Sequence, residues 1–273
     1  MGIAGSALAT VVAGIISVAL LLRKIYALDL TIRLRGAELK WLRPDGRFLK
    51  PIARMGLPMG LTMIIMSGSA VVMIGLVNRE GVDTTAAFGV MNQFWSYVQM
   101  PAVAVGSAVS AMVAQNIGAN KWDRVSRIVW SGIGINLLMS GVLIGLMTIF
   151  ARPLLELFLP GDSPAVDIAI HINHIIGWSF ILMGVSVVVT FAVRANGAVM
   201  APLLILIFSA VIVRFSIGFG LYDYVGADAI WSAFIATSIA SCVLSIAYYL
   251  NGSWKKAKAM PMMGAPPLQA APE

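Results

Sequence analysis

Beyond its first residue the chain alternates long, almost uncharged apolar runs with short polar joints. Seven runs reach or approach the ~20 helical residues needed to cross a hydrocarbon core of about 30 Å. They lie at 2–22, 55–77, 86–114, 128–150, 171–193, 200–222 and 229–250. In lipid every backbone N–H and C=O must be satisfied within the segment, so these runs predict seven transmembrane helices and an all-α membrane protein. Pro101, near the middle of the third run, predicts a kink, because proline removes one backbone bond and crowds the preceding turn. Gly141 and Gly145 in the fourth run have the small-xxx-small spacing of helix contacts.

The joints carry their own signals. The stretch AQNIGANKWDRV, Ala114 to Val125, closes the third run, and its Asn116, Gly118 and Asn120 predict a left-handed helix exit. Pro160 and Gly161 mark a turn, after which Asp162 or Ser163 caps a segment opened by Pro164. In the long 23–54 connector, Leu28, Leu30, Ile32 and Leu34 alternate with polar residues and predict extended backbone. Asp45 then caps a short interfacial helix that puts Phe48, Leu49, Ile52 and Met55 on one face and Arg47, Lys50 and Arg54 on the other. The Ala-, Pro- and Met-rich stretch that ends the sequence predicts a disordered tail within 252–273.

Composition agrees with this pattern: 59% of the 273 residues are hydrophobic and only 11% charged, against about 25% charged in soluble domains. Arg214 alone among the charged residues falls inside a run. The net charge of +7 raises the question of nucleic acid, which the placement of the cations answers. Lys and Arg concentrate in the 23–54 connector, the 115–127 joint, Arg194 and the segment after residue 251, while the alternate loops hold only Arg79 and Arg152. That is the positive-inside bias. It predicts an inner (plasma) membrane protein with the N-terminus outside and the C-terminus cytoplasmic, whose partner is the bilayer and not nucleic acid.

The single cysteine, Cys242, sits in the last run and reads as a packing residue. No phosphate-cradling loop, HExxH or dinucleotide fingerprint is present, so no catalytic residue is assigned. His171 and His174 lack the company of ligands that a metal site needs, and no metal is assigned. The remaining chemistry is polar residues inside spans. Asn92, Ser96 and Gln99 fall close to one face of the third helix, with Asn136 on the fourth, Ser186 and Thr190 on the fifth and Arg214 on the sixth. Such groups either glue helices together or line a cavity, and these seven are the candidate substrate-binding set.

Several quoted segments resemble the multidrug and toxic compound extrusion (MATE) transporters. The carriers are GLP at Gly56 to Pro58, AQNIGANKWDRV, RPLLELF at Arg152 to Phe158, RANG through Pro202 to Arg214, and the closing W-S-A with Tyr248, Tyr249 and Trp254. The resemblance covers nearly everything from Gly2 to Lys256 and sets a register. Residues 1–24 look like the last helix of an N-terminal lobe, 25–54 a basic connector, 55–251 the six-helix C-terminal lobe and 252–273 the tail. It implies a cation-coupled antiporter of amphipathic organic cations or drugs against H⁺ or Na⁺, with no other cofactor. Five helices of the family plan are missing from this sequence, so the missing N-terminal lobe or a second copy of the chain is the implied partner. Some members carry a membrane acid on the helices matching the second and fifth runs. Met66 and Met183 stand there, and a thioether does not hold a hard ion. A flippase of lipid-linked saccharides and a non-transporting membrane subunit remain open as alternatives.

Overall fold

The computed structural model describes residues 2–29, 33–34, 36 and 45–257. The connector residues 30–32, 35 and 37–44, with Leu30 and Ile32 of the expected extended stretch, and residues 258–273 of the expected tail lie outside the described residues. The chain forms two compact units, residues 1–50 and 51–273. The first contains α1 (Gly2–Ala27), apolar until its last turn. All described secondary structure is helical.

The second unit is built on α2 (Gly46–Val77), α3 (Val82–Gly118), α4 (Trp122–Ile149), α6 (Pro164–Ile176), α7 (Ser179–Arg194), α8 (Met200–Ile207), α9 (Arg214–Gly220) and α11 (Asp228–Asn251). The short α5 (Ala151–Leu155) and α10 (Tyr222–Val225) fill loops. Across the described residues six helical segments are long and apolar enough to span a membrane, and the bent α6–α7 pair makes a seventh.

Three boundaries differ from expectation. The interfacial helix and second span are one helix starting at Gly46, with Pro51 and Pro58 accommodated inside it. The Thr62 hydroxyl donates to the Pro58 carbonyl at 2.9 Å in the turn that follows. The fifth span is not one rod: its helix begins at Pro164 and turns by 52° at Gly177–Trp178. The sixth contains a π-helical turn, Phe208–Val213, between α8 and α9. Helix α3, by contrast, remains one helix through Pro101.

Of the three residues expected to end α3, Asn120 takes the left-handed conformation at φ +56°. Lys121 N–H reaches back to the Asn116 carbonyl at 2.8 Å, and the Trp122 indole N–H donates to Asn120 Oδ1 at 3.0 Å. Ser163 is the cap of α6, accepting from the Ala165 N–H at 3.2 Å ahead of Pro164.

Packing centres on α3, α4, α7 and α11, which hold two apolar cores. One contains Phe88, Trp95 and Trp231, with Phe88 stacked on Trp231 at 5.9 Å and Trp95 on Phe180 at 4.9 Å. The other contains Val109, Val129, Val188, Tyr249 and Trp254. Close approach is set by glycines other than the expected pair. A carbon added at Gly132 would lie 2.4 Å from Val109, and one at Gly106 2.9 Å from Phe191, whereas Gly141 and Gly145 face open space. Small residues let membrane helices gain dispersion contacts where lipid supplies no hydrophobic drive.

Candidate functional site

The candidate polar residues divide among four places. Asn92 and Ser96 lie on an exposed face of α3, with Gln99 half-buried beside it. The Ser96 hydroxyl is satisfied within the helix by the Asn92 carbonyl at 2.9 Å. The neighbouring face of α3 carries the buried Phe88, Met91, Trp95 and Val98, and the face that the lobe's own helices leave uncovered holds Asn92 and Ser96 together with the apolar Tyr97, Met100 and Val103.

Asn136 is fully buried on α4, where its carboxamide fills the space that a side chain at Gly184 would occupy. Its Oδ1 accepts from Ser140 at 3.3 Å, while its Nδ2 has no partner among the described residues. It locks α4 to α7 rather than facing an opening.

Arg214 sits where the π-helical turn ends, 9% exposed. Its Nε donates to Thr237 Oγ1 and its Nη1 to Ser69 Oγ, both at 3.2 Å, and its guanidinium lies 4.6 Å from the centre of the Phe234 ring. Ser69 donates onward to the Ala210 carbonyl at 2.8 Å. An arginine buried in this way is held by neutral oxygens and a π face, and it ties α2 to the sixth and last spans.

The fourth place is a groove of about 170 Å³ between α2, α7, α8 and α11. It brings together Ser186 and Thr190 with Met66 and Met183, the two positions where the resemblance placed an acid. The Ser186 hydroxyl is spent inside the lobe, on Ser245 Oγ at 2.8 Å and the Ser241 carbonyl at 3.2 Å. Three further polar residues, Thr62, Arg194 and Ser241, line the groove and were not read as site residues in the sequence. Arg194 read there only as a loop charge, although its i, i+4, i+8 spacing with Thr190 and Ser186 placed all three on one face.

Polar clusters also sit at the far end of the lobe. Arg152 pairs with Asp167 and, at 3.8 Å, with Glu156, and His171 Nε2 lies 3.5 Å from Asp228 Oδ1. Tyr222 donates to Glu80 Oε1, and that bond to a carboxylate raises the phenol's pKa above its ordinary 10.0. Among the described residues no three His, Cys, Asp or Glu side chains gather as metal ligands.

Comparison with known proteins places this geometry. The MatE family model matches residues 58–219. The probable multidrug resistance protein YoeA of Bacillus subtilis (strain 168) is 36% identical over 258 residues, covering 94% of this chain and 55% of that protein. The probable multidrug resistance protein NorM of Thermotoga maritima is 22% identical over 258 residues, covering 94% and 54%. The chain therefore spans about half the length of the relatives it matches. Two solved structures, MATE in complex with MaL6 and MATE in the straight conformation, superpose with TM-scores of 0.81 and 0.79 at 16% identity. Each match covers 93% of this chain, with 58% and 56% of the solved chains.

Proposed function

The chain belongs to the MatE family of multidrug transporters, and from that premise we propose that it supplies one lobe of an efflux transporter for amphipathic organic cations, exchanged against H⁺ or Na⁺. The supporting observation is the uncovered polar stripe of α3. Asn92 and Ser96 stand exposed on a spanning helix whose neighbouring face is buried core. Polar groups facing lipid are costly, so such a stripe is economical only against water, substrate or a second lobe. Alternating access requires two lobes around a cavity, so the partner is a second lobe of the same type, on another polypeptide or a second copy of this one. Transport rather than catalysis is the work proposed. The orientation follows the basic residues, with Arg194, Lys255 and Lys256 on the cytoplasmic side.

The groove offers no carboxylate, and Met66 and Met183 cannot bind a hard cation, so the coupling acid is assigned to the opposing lobe. Cysteines placed at Asn92 and Ser96 test the stripe. In cells, a membrane-impermeant thiol reagent should label both and be excluded by a transported cation, with Asn136→Cys unlabelled. Silence at 92 and 96 would remove the reading.

A further inference from the structure

We propose that the groove between α2, α7, α8 and α11 is a binding site for an anionic phospholipid, its phosphate held at Arg194. The groove is polar at one end and apolar along its walls. Met66, Met183, Val187 and Leu206 line the apolar part, and Thr62, Thr190 and Arg194 the polar part. Arg194 is half-buried, and among the described residues its one side-chain hydrogen bond is long and to a neutral group, Nη2 to Thr62 Oγ1 at 3.5 Å. Its Nε is buried with no partner among the described residues, and no carboxylate lines the groove. A guanidinium partly removed from water with so little compensation is short of an anion, and its planar fork of donors suits a phosphate.

The surroundings select a lipid. Arg194 is the last residue of the bent α6–α7 pair, which together is long and apolar enough to span, and a cation at the end of a span suits the headgroup level. Arg54 lies on α2 eight residues before Thr62, ~12 Å toward the same end by the helical rise, and adds to the positive field. The helices flanking the groove expose Met63, Ile64, Leu204 and Phe208, large apolar side chains that acyl chains cover. A cation entering here would meet an unneutralised arginine, so this site is separate from the cation path proposed on α3.

The test is native mass spectrometry of the full chain released from phosphatidylcholine nanodiscs with and without phosphatidylglycerol. Phosphatidylglycerol should be retained over phosphatidylcholine, and Arg194→Gln should weaken that retention about 10- to 100-fold, the loss of a charge-assisted bond. Arg152→Gln, at the far end, should leave it unchanged. Thr190→Glu keeps Arg194 but offers it an i, i+4 carboxylate, so this variant should lose phosphatidylglycerol while keeping the parent's melting temperature. Equal retention of the two lipids, or retention unaffected by both Arg194→Gln and Thr190→Glu, overturns the site. Displacement of phosphatidylglycerol by dodecyltrimethylammonium at lower concentration than by dodecyl phosphate would overturn its anionic character. Retention of hexyl phosphate without phosphatidylglycerol would overturn its assignment to lipid.

Discussion

At Gly184 an added methyl carbon would lie 2.6 Å from the Asn136 carboxamide, which is fully buried and cannot swing aside. Gly184→Ala should therefore destabilise the lobe by roughly 1–3 kcal/mol, the usual cost of overpacking, read as a lower midpoint in thermal unfolding in detergent. Gly141→Ala, facing open space on α4, should be neutral or slightly stabilising. The sequence singled out Gly141 and passed over Gly184, because glycine spacing records which glycines share a face and not what faces them. Tyr222 offers a pH test. Its phenol is held above the ordinary tyrosine range by the bond to Glu80, so the contribution is present below pH 10 and lost as pH rises through the elevated value. Alkaline titration should show unfolding stability falling above pH 10, with Tyr222→Phe removing that component.

Among the elements, the end of the lobe near Trp254 shows how distant stretches become one device. Gly252 leaves α11 in the left-handed conformation at φ +72° and turns Trp254 inward, where it is fully buried. Its indole N–H donates to the Tyr249 carbonyl at 2.9 Å, its ring stacks on Tyr249 at 5.3 Å, and Trp122 meets it edge-on at 6.0 Å. Asn196, in the α7–α8 turn, donates to the Trp254 carbonyl at 2.8 Å. The AQNIGANKWDRV joint, the RANG turn and the closing tryptophan, which read as separate markers in the sequence, thus clamp α3–α4, α7–α8 and α11 together. Trp254→Ala should cost about 3–5 kcal/mol, while Asn196→Ala, losing one buried bond, should cost about 1–3. Thermal unfolding of the two variants checks the order. Helix existence was legible because a charge-free run of spanning length has few other uses. The 52° turn at Gly177–Trp178 and the π-helical turn at Phe208–Val213 were not, since both arise from packing that no local period records. Arg214 was conspicuous as the lone charge in a span, yet its partner Ser69 lies 145 positions away and only the fold joins them.

On the scale of the whole molecule, the lobe has a covered side and an uncovered one. Its buried residues gather on the inner faces of α3, α4, α7 and α11, whereas α2 is exposed along most of its length between Gly56 and Gly68 and reaches the core at Ser69, Met73, Leu76 and Val77. A helix held by so few contacts is free to shift relative to the rest, the property that a moving wall of a transport cavity requires. A single lobe presents that wall and the α3 stripe to nothing of its own. Expressed alone in an efflux-deficient host, the chain should reach the membrane and confer no resistance to ethidium. Co-expression with the N-terminal lobe of YoeA, whose sequence is the more similar of the two relatives compared, should raise the inhibitory concentration several-fold. Asn92→Trp, which blocks the stripe without touching the core, should abolish that gain while leaving membrane levels unchanged. Resistance from the chain alone, accompanied by a dimer in cross-linking, would instead make the second copy the opposing lobe.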